Sequence, residues 1–89
     1  MEKQIEQYLV REVKKRGGVA YKFSSPSHRG VSDRVVCLPG QTWFVELKQP
    51  KGKLSALQVL FAEEMEWLGQ RYICLWSKED VDKWLNEVA

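Results

Sequence analysis

The length, composition and charge of the sequence indicate one folded domain. Its 89 residues are 44% hydrophobic and include four Trp, three Tyr and three Phe, which excludes a disordered chain and supplies a single core across 1–89. No run approaches the ~20 apolar residues of a membrane span, and the polar N-terminus does not resemble a signal peptide. The net charge of +2 divides into +6 over 1–53 and −4 over 54–89, so the basic first half suits a phosphate-binding face.

The hydrophobic pattern predicts an α/β fold in which helices flank a mixed sheet. Apolar residues recur at helical spacing in three segments, and short apolar runs bounded by Gly, Pro or Ser mark four strands. The predicted order is α-β-β-β-α-β-α. The elements are a helix over 2–16, strands over 19–23, 33–38 and 42–49, a helix over 55–68, a strand over 71–76 and a terminal helix capped by Ser77.

The last two helices have predicted core faces. Both follow a serine at the N-cap position, and both place apolar residues three or four positions apart. We expect the terminal helix to turn Val81, Trp84, Leu85 and Val88 inward. The helix over 55–68 is expected to bury Leu57, Leu60, Phe61, Met65 and Leu68.

Two charged residues interrupt the apolar strand over 42–49. Side chains alternate along a strand, so Glu46 and Lys48 point to one face while Val45 and Leu47 point to the other. Buried charges are costly unless they are paired or bind a ligand. A same-face ion pair at a sheet edge is the alternative explanation.

A third charged residue, Asp33, is predicted to lie close to Glu46. A hairpin turn at Pro39-Gly40 brings the start of the strand over 33–38 to the distal end of the next strand. Two converging carboxylates repel each other unless a cation neutralises them, and their oxygen atoms suit Mg²⁺ or Mn²⁺. Alternatively, Asp33 caps its own backbone at the start of the strand.

The order Asp33, twelve residues, Glu46-x-Lys48 resembles the catalytic pattern of the restriction-endonuclease-like superfamily. The longer pattern is similar to the VRR-NUC (virus-type replication-repair nuclease) family and covers nearly the whole chain. That family usually has Pro where this sequence has Ser32, and a proline at that position supplies no ligand. The matching runs are Tyr21 to Pro26, Arg29 to Arg34, Phe44 to Lys48 and Leu54 to Gln58.

The resemblance implies phosphodiester hydrolysis with Mg²⁺ or Mn²⁺ as the cofactor. Asp33, Glu46 and the Leu47 carbonyl would hold the ion, and Lys48 would stabilise developing negative charge. An acid from the first helix usually completes such sites. Glu6 is the expected one and Glu2, one turn earlier, is the alternative; an acid in a first helical turn is also favoured by the helix dipole alone.

Gln58 has two possible roles. The run from Ser55 to Gln58 matches a capping box, in which Gln58 accepts a hydrogen bond from the Ser55 backbone. The family resemblance instead implies a catalytic glutamine at the edge of the active site. We expect a single side chain to serve only one of these roles.

The partners implied are DNA and a second copy of the chain. Basic residues beside the predicted site are candidates for phosphate contacts, although each could also be solvated surface charge. They are Lys22, His28, Arg29, Arg34, Lys51 and Lys53.

The resemblance implies a structure-selective endonuclease, acting on branched DNA such as four-way (Holliday) junctions in DNA repair. Such junctions have two-fold symmetry, so an 89-residue chain needs a homodimer to cut both strands. The expected setting is the cytoplasm of a bacterial or phage-infected cell. The alternative is a non-catalytic DNA-binding or protein-interaction module that keeps the fold.

Overall fold

The computed structural model describes residues 2–89 and has the predicted order of elements. Within these residues, three helices and four strands follow one another, and each boundary lies within about two residues of the predicted one. The elements are α1 (Glu2–Lys15), β1 (Val19–Lys22), β2 (Arg34–Leu38), β3 (Gln41–Leu47), α2 (Ala56–Trp67), β4 (Tyr72–Leu75) and α3 (Lys78–Val88). The predicted mixed α/β fold is therefore confirmed.

The sheet has the order β1-β2-β3-β4. β1 pairs antiparallel with β2, and β2 with β3, whereas β3 and β4 are parallel. Pro39 and Gly40 form the predicted two-residue connection between β2 and β3, where Gly40 has a φ of 76°. α2 is the crossover that parallel pairing of β3 with β4 requires.

α1 and α3 cover one face of the sheet and form the main core with it. Ile5, Leu9 and Val13 of α1 are buried, and the predicted inward residues of α3 are buried except Val88, which is partly buried. Trp43 of β3 and Trp84 of α3 pack edge to face, with ring centroids 5.4 Å apart. The buried apolar residues are Ile5, Leu9, Val13, Ala20, Val36, Leu38, Val45, Leu47, Leu75, Val81, Trp84 and Leu85.

α2 lies on the opposite face, and its predicted core face is only partly correct. Phe61 packs against Phe44 and Tyr72, and Met65 is partly buried. Leu57, Leu60 and Leu68 are exposed, contrary to the prediction. The physical reason is that the apolar face of α2 is broad, and only the part of it around Phe61 packs against the sheet.

The described residues, 2–89, include no helix with the length and apolar character needed to cross a membrane.

Gly30 fixes how the loop before β2 packs on α2. Its φ is 85°, and a Cβ atom there would lie 2.5 Å from the Leu57 carbonyl carbon and oxygen. Gly30→Ala should therefore reduce the free energy of unfolding by about 2–4 kcal/mol, measured by urea denaturation.

Gly40→Ala is the matched control for the Gly30 prediction. Gly40 also has a positive φ, but a Cβ there would meet nothing within 4 Å. Its replacement should lower the free energy of unfolding by only about 1 kcal/mol, because a residue with a Cβ disfavours the left-handed conformation. Equal losses in the two variants would show that the contact with Leu57 is unimportant.

Candidate active site

The structure brings Asp33 and Glu46 together. β2 and β3 pair Arg34 with Val45, and the next step of this antiparallel register sets Asp33 opposite Glu46. Asp33 Oδ2 accepts a hydrogen bond from the Leu47 backbone N–H at 2.8 Å. The carboxylate of Asp33 thus caps the neighbouring strand rather than its own backbone, and this bond holds it beside Glu46. We call these two residues the acidic pair.

Glu46 is deeply buried, and this changes its ionisation. The residue is only 2% exposed. Burial raises the pKa of Glu46 to about 8; a hydrogen bond and the charge of Asp33 add to this, and the charge of Lys48 opposes it. The acidic pair therefore resists holding two negative charges, which is the condition a divalent cation relieves.

Gln58 contacts both its helix cap and the acidic pair. Gln58 Oε1 accepts from the Ser55 backbone N–H at 2.8 Å, while Ser55 Oγ accepts from the Gln58 backbone N–H at 3.2 Å. At the same time Gln58 Nε2 donates to Glu46 Oε2 at 3.2 Å. Both contacts are possible because an amide side chain carries an acceptor and a donor at its end.

Lys48 lies at the end of β3 and faces an acid of α1. Its backbone N–H donates to the Leu75 carbonyl at 3.0 Å, continuing the β3–β4 pairing. Its Nζ lies 3.8 Å from Glu2 Oε1, and the Lys48 side chain is 17% exposed. The charge of Glu2 also contributes to the raised pKa of Glu46, so Glu2 belongs to the same electrostatic cluster.

Glu6, the acid of α1 expected from the sequence, has a different neighbour. Its Oε2 accepts from Arg34 Nε at 2.7 Å, and Arg34 Nη1 donates to the Ala20 carbonyl. Glu6 and Glu2 share a face of α1, but Arg34 on β2 engages the former. The structure therefore places the alternative, Glu2, beside Lys48.

The predicted phosphate contacts fall into two groups. Arg34 is held between α1 and β1 by the bonds described above. The remaining basic residues are exposed, on loops or at a strand end. They are Lys22, His28, Arg29, Lys51 and Lys53.

β4 supplies a wall of the site that the sequence reasoning did not include. Cys74 pairs with Glu46 across β3 and β4. Burial raises the pKa of the Cys74 thiol to about 12, with a further contribution from Glu46, so the thiol stays protonated at neutral pH. From the sequence, the position of Cys74 beside Glu46 could have been predicted only by assuming that β3 and β4 pair in parallel.

The donor set suits a hard cation. Residues 2–89 contain no cluster of three or more His, Cys, Asp or Glu side chains arranged to hold a metal ion. The two carboxylates of the acidic pair nevertheless offer only oxygen atoms, and Mg²⁺ commonly uses one or two carboxylates and retains several waters.

Comparisons with known proteins find a nuclease and a VRR_NUC domain. "Putative nuclease p44" of Acyrthosiphon pisum secondary endosymbiont phage 1 is 47% identical over 79 residues, covering 88% of this chain and 85% of that protein. A solved structure described as a VRR_NUC domain superposes with a TM-score of 0.92 at 28% identity, covering 99% of this chain and 97% of the other. No family model matches the sequence.

The fold and its relatives define the class of protein, which is a nuclease domain of mixed α/β architecture. The resemblance seen in the sequence is thereby confirmed. The chain belongs to the VRR-NUC family.

Proposed function

We propose that the protein is a divalent-metal-dependent DNA endonuclease whose active site comprises Asp33, Glu46 and Lys48. The observation that carries the proposal is the meeting of Glu46, buried on β3, with Asp33, directly before β2, beside a lysine that directly follows β3. A module that only binds DNA would gain nothing from two acids facing a phosphate backbone, which argues against the non-catalytic alternative.

The acidic pair and the Leu47 carbonyl are the proposed ligands of Mg²⁺ or Mn²⁺. When bound, such an ion supplies Lewis-acid activation of the phosphate and of a water molecule. Asp33 is kept in place by the Leu47 backbone N–H, and Glu46 by Gln58. These bonds preorganise the carboxylates, so little reordering is needed when the ion binds.

Lys48 is the proposed electrostatic catalyst. Its ammonium group stabilises the negative charge that develops on the phosphate oxygens as water attacks phosphorus and the phosphorus–oxygen bond breaks. We assign Glu2, rather than Glu6, as the helix acid that positions Lys48, because the two side chains approach to 3.8 Å. Glu6 instead orients Arg34.

DNA binding is assigned to the exposed basic residues of the loops and of the end of β1. Lys22, Arg29, Lys51 and Lys53 contact phosphates without reading the base sequence. Arg34 contributes by holding α1 against β1. The substrate is branched DNA, including four-way junctions, and two copies of the chain supply the two cuts that a symmetric junction needs. The phage source of the p44 relative supports a bacterial or phage-infected cell as the setting.

A cutting assay tests the proposal. Labelled linear, flapped and four-way-junction DNA are incubated with the protein in Mg²⁺, Mn²⁺ or chelator. We expect metal-dependent cutting that is fastest on the junction and absent in Asp33→Asn. Cutting that survives chelator, or full activity of Asp33→Asn, would overturn the site assignment.

The double role of Gln58 leads to a separate prediction. Gln58→Ala removes the cap and the donor to Glu46, so it should lose about 1 kcal/mol of stability and also about 10–100-fold in cutting rate. Ser55→Ala removes the Oγ cap and leaves the Gln58–Glu46 bond, so it should lose similar stability at nearly full activity. Urea denaturation and the cutting assay measure the two effects; equal activity in both variants would assign Gln58 to capping alone.

A further inference from the structure

A cleft lined by cations lies between α1 and the edge strand β1. It has a volume of about 510 Å³, and we call it the α1–β1 groove. Lys3, Gln7 and Arg11 are exposed along its α1 side, and successive members are about 6 Å apart along the helix axis. The other charged residues of the lining are Lys22 of β1, Arg34 of β2 and Glu6 of α1. Cations therefore outnumber acids in the groove, as an anionic ligand requires.

The acid of the α1–β1 groove is already paired. Glu6 Oε2 accepts from Arg34 Nε at 2.7 Å, and Arg34 Nη1 donates to the Ala20 carbonyl at 3.0 Å. Neither bond involves Nη2, which can donate to a phosphate oxygen. None of the salt bridges among residues 2–89 involves Lys3, Arg11 or Lys22. Glu6 therefore fixes the arginine and leaves the charges of the other cations to a ligand.

The shape of the α1–β1 groove favours a DNA backbone over other large anions. A DNA strand carries a negative charge at every nucleotide, and a cleft can admit it. An anionic membrane surface is flat, so it would touch the exposed Lys3 and Arg11 but not Arg34. The side chain of Arg34 is only 17% exposed. An anion that uses all of these cations must therefore enter the groove.

The α1–β1 groove and the acidic pair lie at the same end of the sheet but on opposite faces. Lys22, the last residue of β1, pairs with Arg34, and Asp33 directly precedes Arg34. Successive side chains of a strand point to opposite faces. Asp33 and Glu46 therefore point to the face covered by α2, whereas Arg34 points to α1. A straight duplex that follows the face covered by α2 passes the acidic pair and lies away from the groove.

We propose that the α1–β1 groove binds the phosphate backbone of a second DNA arm while another arm lies at the acidic pair. Two arms that diverge from a branch reach both faces at this end of the sheet. Lys3, Arg11 and Lys22 contact phosphates of the second arm, and Arg34 donates to one from Nη2. The inference rests on the branched substrate of the proposed function and names the surface that distinguishes a branch from a linear duplex.

Fluorescence anisotropy of labelled DNA with the full chain, in chelator so that binding is measured without cutting, tests the groove. The wild type should bind a four-way junction more tightly than a linear duplex of equal length. Lys3→Glu and Arg11→Glu should each raise the Kd for the junction about 10-fold and that for the duplex by less than about 2-fold. Equal losses on the two DNAs, or no loss on the junction, would overturn the proposal.

Lys83→Glu is the matched control for these two variants. It makes the same change of charge at an exposed position on α3, outside the groove. Its Kd for the junction should stay within about 2-fold of the wild-type value. A loss as large as that of Lys3→Glu would show that net charge, and not the groove, sets the affinity.

Gln7→Lys tests the same surface in the opposite direction. Gln7 is exposed between Lys3 and Arg11 in the groove, so a lysine there adds a phosphate contact. The variant should bind the junction about 3–10-fold more tightly and should steepen the dependence of log Kd on log salt concentration by about 1. An unchanged affinity and slope would contradict a backbone that follows α1. Circular dichroism confirms folding, and Gln7→Lys decides the question if a charge-reversal variant unfolds.

Failure of this inference is distinguishable from failure of the nuclease proposal. Metal-dependent cutting by the wild type, together with unchanged junction affinity in Lys3→Glu and Arg11→Glu, would overturn the groove and leave the acidic pair assigned. Loss of junction affinity in these variants supports the groove even if no DNA is cut. Binding of the wild type to phosphatidylserine vesicles that is lost in Lys3→Glu, with junction binding retained, would overturn the proposed ligand.

Discussion

Glu46→Gln is expected to stabilise the metal-free protein at neutral and alkaline pH while eliminating metal-dependent cutting. The pKa of Glu46 is raised from 4.5 to about 8 in the folded protein, first by burial and then by Asp33. Below about pH 4.5 the carboxyl is protonated in both the folded and the unfolded chain, so it costs nothing. Between about pH 4.5 and pH 8 this carboxyl ionises in the unfolded chain but stays protonated in the folded protein. The free energy of unfolding therefore falls as the pH rises through this range.

Glu46→Gln should raise the free energy of unfolding by on the order of a few kcal/mol above pH 8, and this gain should vanish near pH 4. Urea denaturation in chelator between pH 4 and pH 9 measures it. Glu66→Gln removes the same charge from an exposed position on α2 and should leave the pH dependence of the wild type unchanged. Parallel stability curves for the wild type and Glu46→Gln would contradict the account of the buried carboxylate.

Lys48→Ala is expected to lower the cutting rate about 100–1000-fold while leaving metal binding almost intact. Lys48 contributes charge beside the acidic pair but has no lone pair for a cation when protonated. Single-turnover cutting of a labelled junction at saturating Mg²⁺ isolates this effect from DNA binding.

Lys83→Ala is the matched control for Lys48→Ala, because Lys83 is exposed on α3 and has no assigned part in DNA binding. It should cut at the wild-type rate. The cutting rate of Glu2→Gln should lie between those of Lys48→Ala and Lys83→Ala, because this variant keeps Lys48 in the site but loosens its position. Wild-type activity in Lys48→Ala would remove this residue from the mechanism.

The acidic pair could be predicted from the sequence because its geometry depends on local rules. Alternation along β3 sets the side of the sheet to which Glu46 points, and the two-residue connection at Pro39 and Gly40 fixes which residue faces it. Once the turn is located, Asp33 and Glu46 must be opposite one another. No long-range information is needed for this step.

The helix acid could not be chosen from the sequence. Glu2 and Glu6 lie one turn apart on the same face of α1, so helical periodicity treats them alike. The distinction comes from Arg34 on β2, which engages Glu6 and leaves Glu2 near Lys48. Such a pairing depends on how α1 crosses the sheet, which no local pattern specifies.

The error on α2 has a similar origin. Its apolar residues form one broad face, and periodicity cannot say which part of that face meets the sheet when no second helix lies on that side. The structure gives Phe61 and Met65 to the sheet and leaves Leu57, Leu60 and Trp67 exposed. The prediction assumed that every apolar residue of the helix is covered within the chain, and the exposed residues of α2 show where that assumption fails.

Titration of the protein with Mn²⁺, followed by calorimetry, examines the acidic pair itself. Carboxylate oxygens contributed by two strands should bind one ion per chain in the wild type. Asp33→Asn and Glu46→Gln should each weaken this binding by about 100-fold or more, whereas Lys48→Ala should not. Equal Mn²⁺ affinity in the wild type and both carboxylate variants, or no binding at all, would contradict the assignment of these residues as the metal ligands of a nuclease.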